Sequence, residues 1–525
     1  MAEIRGEWGT GHPPPAMGMG ALRSAAGIPP HGTPPHGTPP GRWAERPQPE
    51  RPPDRRVMVE NRPLRQSPLP RPWSSPNLST CCGGFVGVRK DLREFFLCPL
   101  TLDFPPAVFP LSCVVQNYSW GKVGLESEVA KLVASGDPQV QIQPDQPYAE
   151  LWMGAHPRGD ALIRDNRIPQ KTLGQWIADN PACLGAKVKD AFQGCLPFLF
   201  KVLSVNTALS VQAHPNKELA AKLHAQFPEH YPDANHKPEM AIALTPFEGM
   251  CGFRPVEEIV SFLQNVPELR ALIGEVAAEQ LERSGSDDPR GVSAALRVCF
   301  TRLMKSEKKF FVDQLNMLVK RISQEAAEGK DTSGSSGDLL LRLHSQYPGD
   351  IGCFTIYFLN LVRLEPGEAM FLGANEPHAY LHGDCVEIMA CSDNTVRAGL
   401  TPKFIDVLTL CEMLNYTPAP SSSKIFPAAQ SQLDPHVYLY DPPVPDFSIL
   451  RIEIPASIKL YLISAMDSAS ILLVIQGTAV GTSTAAASEM SLHRGSVLFI
   501  SANESISLHL SSPDGMLLFR ACCLL

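Results

Sequence analysis

Short apolar runs broken by Gly, Pro and Asn dominate residues 108–255. The runs from Phe198 to Val202 and from Met240 to Leu244 have the length and composition of strands. Helical stretches are predicted near Thr172 to Asn180 and near Asn216 to Gln226. This part of the chain is therefore predicted to be mostly β.

The hydrophobic period changes after residue 255. From Val256 onward, apolar residues recur at helical spacing, and a second helical pattern follows after residue 310. The Gly and Ser cluster from Ser333 to Gly337 is predicted to be a loop. A helical insert over residues 256–347 is therefore predicted between two β-rich parts. The apolar positions that have helical spacing are Ile259, Val260, Phe262, Leu263, Val266, Leu269, Leu272, Ile273, Val276, Phe311, Leu315, Leu318, Val319 and Ile322.

A pattern of turn, strand and turn occurs twice after the insert. Cys353 to Leu364 is a long apolar strand signal, and residues 366–378 follow it with a turn, a strand and a second turn. Residues 494–506 align on 366–378 without gaps. The alignment places Gly495 on Gly367, Phe499 on Phe371, Ala502-Asn503-Glu504 on Ala374-Asn375-Glu376, and Ile506 on His378.

This turn and strand pattern resembles the cupin jelly roll, in which a hairpin delivers a His into a barrel. The predicted fold class is mainly β, with two cupin-type jelly-roll barrels and a helical insert domain. The expected domains are a catalytic cupin domain at 108–255 and 348–430, the insert at 256–347, and a cupin-like domain without metal ligands at 431–525. Residues 1–107 are rich in Pro and Gly and are predicted to be disordered.

Composition describes an ordinary soluble protein of 525 residues with 44% hydrophobic and 19% charged residues. The sequence contains no long uncharged apolar run of the kind that spans a membrane. It also lacks the basic segment followed by an apolar one that is typical of a secretory signal. The 14 Cys are scattered without C-x-x-C spacing. We therefore expect a cytoplasmic location and reduced thiols. The net charge of −8 argues against nucleic acid or membrane partners, so Lys and Arg side chains must bind any anionic substrate locally.

Three short segments carry candidate metal ligands. Gln212 and His214 are two residues apart, so in a strand both side chains lie on one face. Glu239 follows in His236-Lys237-Pro238-Glu239, and His378 in Pro377-His378-Ala379-Tyr380. An amide oxygen, two imidazoles and a carboxylate form a mixed shell that suits a divalent ion such as zinc. On residue types alone, four unrelated polar residues are the alternative.

Longer motifs distinguish these readings. The segments around these ligands closely resemble the zinc-dependent type I mannose-6-phosphate isomerase family, its animal members in particular, from about Val108 to Leu525. The resemblance implies an aldose–ketose isomerase with one zinc ion per chain, acting as a monomer. It would interconvert mannose 6-phosphate and fructose 6-phosphate through an enediol and supply mannose for GDP-mannose synthesis and glycosylation. The motifs are residues 198–217, 231–239 and 393–403.

The resemblance assigns Gln212, His214, Glu239 and His378 to the metal. Four protein ligands make a closed structural site, whereas an added water or substrate oxygen makes a catalytic one. Arg397 matches the family's active-site Arg. Because a guanidinium is a poor base, the base is sought among other residues, with Glu387 and Lys237 as the candidates.

The substrate side is also assigned by resemblance. Ser210, Lys201 and Lys403 match positions near the phosphate, and a hydroxyl with two ammonium groups suits a phosphate. Trp120 and Tyr380 are expected to wall the sugar from water, with core packing as the alternative for Trp120. Asp393, which begins the motif at 393–403, is also placed on the substrate side.

Two other classes fit parts of the pattern. Two His and one carboxylate also bind iron in oxygenases, but here the first member of the pair is Gln212, a neutral amide that suits a redox-inert ion. A sugar-phosphate binding protein without activity would not need Arg397.

Overall fold

The computed structural model describes residues 106–284, 288–483 and 489–525. The disorder predicted for residues 1–107 lies almost entirely outside these ranges. None of the helices in this part of the chain is both long and apolar enough to span a membrane. The 11 cysteines that it includes are all free thiols, as expected.

Strands and short helices are mixed up to residue 253, helices follow between residues 256 and 346, and strands predominate from residue 359 onward. The helices are α1 Glu128–Gly136, α2 Leu173–Asp179, α3 Ala186–Ala191, α4 Lys217–Gln226, α5 Val256–Asn265, α6 Pro267–Ile273, α7 Glu275–Glu282, α8 Pro289–Met304, α9 Lys308–Ala327, α10 Gly337–Gln346 and α11 Val407–Met413. Short 3-10 helices occupy Gly124–Glu126, Pro181–Leu184, Ser333–Ser335, Ile351–Tyr357 and Ser421–Lys424. The strands are β1 Val108–Ser112, β2 Val114–Gln116, β3 Lys122–Val123, β4 Pro147–Tyr148, β5 Glu150–Met153, β6 Ala155–His156, β7 Gly159–Asp160, β8 Leu162–Ile163, β9 Phe198–Val205, β10 Val211–Ala213, β11 Glu239–Ala243, β12 Phe247–Phe253, β13 Leu359–Leu364, β14 Ala369–Leu372, β15 His378–Ala390, β16 Val396–Gly399, β17 Ile425–Phe426, β18 Ala429–Gln430, β19 Val437–Tyr440, β20 Ser448–Ile454, β21 Leu460–Ile463, β22 Ser470–Gln476, β23 Ala479–Ser483, β24 Glu489–Leu492, β25 Val497–Ile500, β26 Ile506–Leu510 and β27 Met516–Cys522.

Three sheets make up most of the β structure. An 11-stranded sheet includes β9, β11 and β15, an 8-stranded sheet includes β22, β25 and β27, and a 4-stranded sheet has the order β21-β26-β23-β24. One apolar core joins the first two sheets, with Phe198 and Val386 from one and Phe499 and Phe519 from the other. Within the described residues, the strand pairing of each sheet does not form a closed ring. The predicted β character is confirmed, but the jelly-roll barrels are not.

Strand β15 changes partners in its middle. Its first residues pair with β10 and β12, and Gly383 onward pairs with β9. Gly383 has a φ of +116°, and a Cβ there would lie 2.6 Å from the Pro246 carbonyl oxygen. Only glycine adopts this backbone without strain, so Gly383 permits the change of partner strands at this position. Strand β15 carries both His378 and Glu387.

The helical insert is confirmed as a run of helices from α5 to α10. The first periodic stretch forms three helices, which are separated at Val266 and Gly274. Their apolar core extends to Val211 and Ala213 of β10 and to Val396 of β16. The insert therefore supports the strands that bear Gln212 and Arg397.

One strand prediction was wrong in its first half. Residues Ile351–Tyr357 form a 3-10 helix, and strand β13 begins only at Leu359. The segment is buried throughout, so its apolar residues are needed for the core in either conformation. A continuous apolar run has no period that separates a strand from a buried helical turn.

The two copies of the internal repeat have the same local structure. Strands β14 and β25 occupy equivalent positions in the alignment, and β15 and β26 both begin at its last residue. Gly367 and Gly495 have φ values of +89° and +82°, and Asn375 and Asn503 have 64° and 65°. The same turn therefore precedes His378 in one copy and Ile506 in the other.

Candidate active site and metal centre

Three buried side chains meet at the start of two strands and the end of a third. Glu239 begins β11, His378 begins β15, and His214 directly follows β10. One ligand atom from each lies within 4.8 Å of the other two, and all three residues are buried. Gln212 lies directly opposite His378 in the pairing of β10 with β15. The structure therefore brings all four predicted metal ligands together.

The hydrogen bonds of the two imidazoles define their tautomers. His214 Nδ1 lies 2.8 Å from the Asn394 carbonyl oxygen, and His378 Nδ1 lies 2.9 Å from that of Glu376. A carbonyl only accepts hydrogen bonds, so each Nδ1 carries a proton, and in a neutral imidazole the Nε2 atom then has a free lone pair. These Nε2 atoms lie 3.3 and 3.5 Å from Glu239 Oε2. Three acceptor atoms thus face one another.

Such a group of acceptors can hold a cation. Burial lowers the pKa of His214 to about 4, so its imidazole is neutral at neutral pH. His214 Nε2 is also buried without a hydrogen-bond partner in the described part of the chain. A divalent ion between the imidazoles and the carboxylate satisfies all three groups, and their donor types suit zinc. The residues present therefore fit the metal that the sequence predicts.

Gln212 needs one rearrangement to join this shell. Its Oε1 accepts a hydrogen bond from Ser210 Oγ at 2.9 Å, and its Nε2 lies 3.4 Å from His378 Nε2. A half-turn of the amide exchanges the two atoms and directs the oxygen toward the imidazoles. Ser210 Oγ then accepts a hydrogen bond from the amide nitrogen. Gln212 as a ligand stays a prediction.

A cavity of about 810 Å³ opens over this group of ligands. The predicted residues are found in its wall, apart from the two His, which are buried beneath it. The members named from the sequence are Trp120, Lys201, Ser210, Gln212, Lys237, Glu239, Tyr380, Glu387, Asp393, Arg397 and Lys403. The candidate site is therefore one continuous space with the ligands at its base.

Two cations in the wall have no carboxylate partner. Arg397 is half-buried on β16, and Lys403 follows in the adjoining loop. Burial lowers the pKa of Arg397, while burial and the positive charge of Arg397 lower that of Lys403. Among the described residues, neither makes an ion pair. Their charges are therefore available to a ligand anion.

Lys201 and Lys237 are in a different position. Lys201 Nζ is buried 3.0 Å from Glu387 Oε2 and 3.5 Å from Glu150 Oε2. Lys237 Nζ lies 3.1 Å from Glu239 Oε1. Both ammonium groups therefore already neutralise carboxylates. This places Lys201 beside the candidate base, whereas Arg397 and Lys403 are the unpaired cations.

Glu387 has an environment suited to proton transfer. Burial raises the pKa of its carboxyl, as do the negative charges of Glu239 and Glu150, and Lys201 opposes this rise. A carboxyl with a raised pKa is a stronger base than an exposed one. Burial and the charges of Glu387 and Glu239 raise the pKa of Tyr380, so its hydroxyl stays protonated.

The remaining predicted residues line the cavity edge. Trp120 is half-buried and stacks on Tyr118, with ring centroids 5.8 Å apart. The Tyr380 hydroxyl is buried and makes no hydrogen bond within the described residues. Asp393 forms an ion pair with Arg158 and lies 3.6 Å from His156 Nε2. Asp393 is therefore engaged by protein groups at the cavity edge.

Three family models match the chain. They are phosphomannose isomerase type I, catalytic domain, over residues 108–256, the helical insertion domain of the same family over 272–359, and its C-terminal domain over 438–483. Mannose-6-phosphate isomerase from Bos taurus is 69% identical over 418 residues, covering 80% of this chain and 99% of the relative. The Homo sapiens protein of that name is 66% identical over 420 residues, with the same coverage. The chain belongs to the type I phosphomannose isomerase family.

Solved structures of the family agree with this assignment. A crystal structure of a substitution mutant of phosphomannose isomerase from Salmonella typhimurium has a TM-score of 0.66 and 31% identity. It covers 80% of this chain and 100% of its own. A mannose 6-phosphate isomerase bound with zinc and yttrium has a TM-score of 0.66, 30% identity and the same coverage. Metal is thus seen in a protein of this family.

Some residues of the site were not predicted from the sequence to have a role there. Glu150 contacts Lys201, and Lys201 Nζ lies 5.2 Å from the Trp152 ring centroid, although the sequence motifs gave neither residue a role. Asn394 and Glu376 were part of quoted motifs without a role. Strand alternation does not indicate Glu150, because all four residues of β5 are buried. The roles of the other two depend on backbone carbonyls, which side-chain identity does not reveal.

Proposed function

We propose that this chain interconverts mannose 6-phosphate and fructose 6-phosphate with one zinc ion. The observation that supports it most strongly is the combination of three metal-binding groups with two unpaired cations in one cavity. A sugar phosphate needs both kinds of group, one at its reacting end and one at its phosphate. The names of the relatives supply the substrate and the reaction.

Zinc is proposed to bind His214, Glu239 and His378, with Gln212 as the fourth ligand after its amide has turned. When bound, zinc supplies a Lewis acid that stabilises negative charge on a sugar oxygen. Glu239 is also neutralised by Lys237, so Lys237 adjusts the charge at the metal. This pairing makes Lys237 the weaker of the two candidates for the base.

The phosphate is proposed to bind Lys403, with the Ser210 hydroxyl as a further donor. Both line the cavity, and Lys403 forms no ion pair with a carboxylate among the described residues. Lys201 does not share this role in the proposal, because its ammonium group lies between Glu387 and Glu150. Its function is instead to keep Glu387 ionised.

Proton transfer is proposed to use the Glu387 carboxylate. Its oxygens take the proton from C2 of the open sugar and return it at C1, while the hydroxyl proton of O2 passes to O1, so that an enediol forms and collapses to the ketose. The guanidinium of Arg397 stabilises negative charge as that proton leaves. The Tyr380 hydroxyl donates a hydrogen bond to a sugar oxygen. Trp120 excludes water from one side of the sugar. Asp393 contributes by holding Arg158 at the edge.

The wider context is proposed from the same resemblance. The sheets would form two jelly-roll barrels, one in a catalytic domain of residues 108–255 and 348–430 and one in a C-terminal domain of residues 431–525. Residues 256–347 would form the helical insert domain. The second barrel has Ile506 where the first has His378, so it would hold no metal. The protein would act as a monomer in the cytoplasm and supply mannose for GDP-mannose synthesis. Light scattering of the purified chain tests the monomer.

The reaction itself is tested by product analysis under nitrogen. Purified protein with zinc is incubated with mannose 6-phosphate, and the sugar is followed by proton NMR. Conversion to fructose 6-phosphate without dioxygen supports isomerisation. Turnover that requires dioxygen would favour the oxygenase, and tight binding without conversion would favour a binding protein.

A further inference from the structure

Each metal-binding His donates its Nδ1 proton to the backbone carbonyl of a residue with a buried, hydrogen-bonded side chain. His214 uses the carbonyl of Asn394, and His378 uses that of Glu376. A backbone carbonyl has a fixed direction only if its peptide is held. The two side chains hold those peptides in different ways.

Asn394 is held by the segment that leads to Glu239. Its side chain is fully buried, and Nδ2 lies 2.7 Å from the Asp233 carbonyl oxygen and 2.9 Å from that of Asn235. Asp233 also accepts a hydrogen bond from the Asp393 backbone N–H at 2.7 Å. Asn394 and the residue before it are therefore tied to the segment that leads to Glu239.

Glu376 is held by a cation and an amide. Its buried carboxylate pairs with Lys424 and accepts a hydrogen bond from Asn415 Nδ2. A Cβ at Gly252 would lie 2.3 Å from Glu376 Oε1, so a glycine is needed behind this group. In the same loop, the Asn375 N–H donates to the His214 carbonyl oxygen at 2.8 Å. The Glu376 loop therefore contacts both imidazole-bearing segments.

We propose that Asn394 and Glu376 are positioning residues that aim the two imidazoles at the metal and set their tautomers. This inference depends on the zinc site proposed above. Groups that orient metal-binding His residues typically change metal affinity about 10–100-fold when they are removed. The effect is expected on zinc binding itself, before any substrate is present.

The test separates positioning from general stability. Asn394→Ala and Glu376→Ala are compared with Glu268→Ala, which removes a buried carboxylate that pairs with Arg321 at 2.8 Å in the helical insert. Glu376→Gln keeps the shape and one acceptor oxygen, and it serves if an Ala variant does not fold. For each full-length protein we would measure zinc affinity by chelator competition, the melting temperature without metal, and the visible spectrum with Co²⁺.

Three results are expected. Zinc binding weakens about 10–100-fold in Asn394→Ala and Glu376→Ala, with an altered Co²⁺ spectrum. Glu376→Gln recovers part of that affinity. Glu268→Ala lowers the melting temperature but binds zinc like the wild type.

The inference alone would be overturned if both Ala variants had wild-type zinc affinity and an unchanged Co²⁺ spectrum. If Glu376→Ala does not fold, the same normal results in Asn394→Ala and Glu376→Gln would overturn it. Failure of the wild-type chain to bind zinc would instead overturn the proposed metal site, and this inference with it.

Discussion

Lys201 and Glu387 lie directly opposite each other on the antiparallel strands β9 and β15, with Lys201 Nζ 3.0 Å from Glu387 Oε2. Both residues are buried. The ammonium group opposes the effects of burial and of two nearby carboxylates, which together raise the pKa of Glu387. The proposed base is therefore kept available by its cross-strand partner.

This pairing predicts the acid side of the pH–rate profile. A base must be ionised, so kcat/KM falls as pH falls through the pKa of Glu387, which is raised above that of an ordinary Glu. Lys201→Met removes a charge that lowers this pKa, so the fall should move to higher pH. Lys131→Met, at an exposed position on α1, is the control. A profile that is identical in Lys201→Met and in the control would contradict Glu387 as the base.

Arg397→Lys should retain zinc and lose about 10²-fold in kcat, the loss typical of one charge-stabilising donor. Lysine keeps the charge but not the planar, multi-donor geometry of the guanidinium. Steady-state kinetics and metal analysis of the same sample measure both quantities. If kcat stays near the wild-type value, Arg397 does not stabilise the transition state.

Lys403→Met should raise the KM for mannose 6-phosphate by roughly 10-fold or more, because a hydrogen bond to a charged group contributes about 1.5–3 kcal/mol. Zinc content should not change, since Lys403 is outside the group of metal ligands. Lys222→Met, at an exposed position on α4, is the matched control. Equal KM values in the two variants would remove Lys403 from the phosphate site.

His378→Ala should lose zinc and activity together. The Nε2 atom of His378 is one of three candidate ligand atoms that lie within 4.8 Å of one another. Few sites hold zinc tightly after the loss of a ligand. Metal analysis after dialysis, paired with an activity assay, gives the answer. Full zinc occupancy with normal turnover would show that His378 is not a ligand.

Gly383→Ala should destabilise the fold more than Gly329→Ala. Both positions have positive φ, which costs about 1–3 kcal/mol for a residue with a side chain. A Cβ at Gly383 would also lie 2.6 Å from the Pro246 carbonyl oxygen, whereas a Cβ at Gly329 would have no atom within 4 Å. Thermal unfolding of the two variants provides the comparison. Equal melting temperatures would mean that the backbone of β15 at residue 383 adapts to a side chain.

Local pattern predicted the elements whose period is clear. The run from Phe198 is strand β9, and the apolar positions after Phe311 form α9. It failed at Ile351–Tyr357, where every residue is buried and no alternation remains. The two short breaks between α5, α6 and α7 also give no interruption in the apolar period.

The candidate site shows the same division. Motifs indicated Gln212, His214, Glu239 and His378, because each motif is a short continuous segment, and the structure brings them together. The contact of Lys201 with Glu387 joins residues 186 positions apart, and strand register decides it. The same is true of the carbonyls that orient the imidazoles, since any residue type supplies a carbonyl.

The central claim is zinc-dependent isomerisation, and the most direct measurement is turnover of mannose 6-phosphate in a coupled assay. The full chain is assayed as purified, after chelation, and after zinc is restored. The account predicts that chelation abolishes turnover and that zinc brings it back. Turnover that persists in metal-free protein, or a folded and zinc-loaded protein with no turnover, would contradict it.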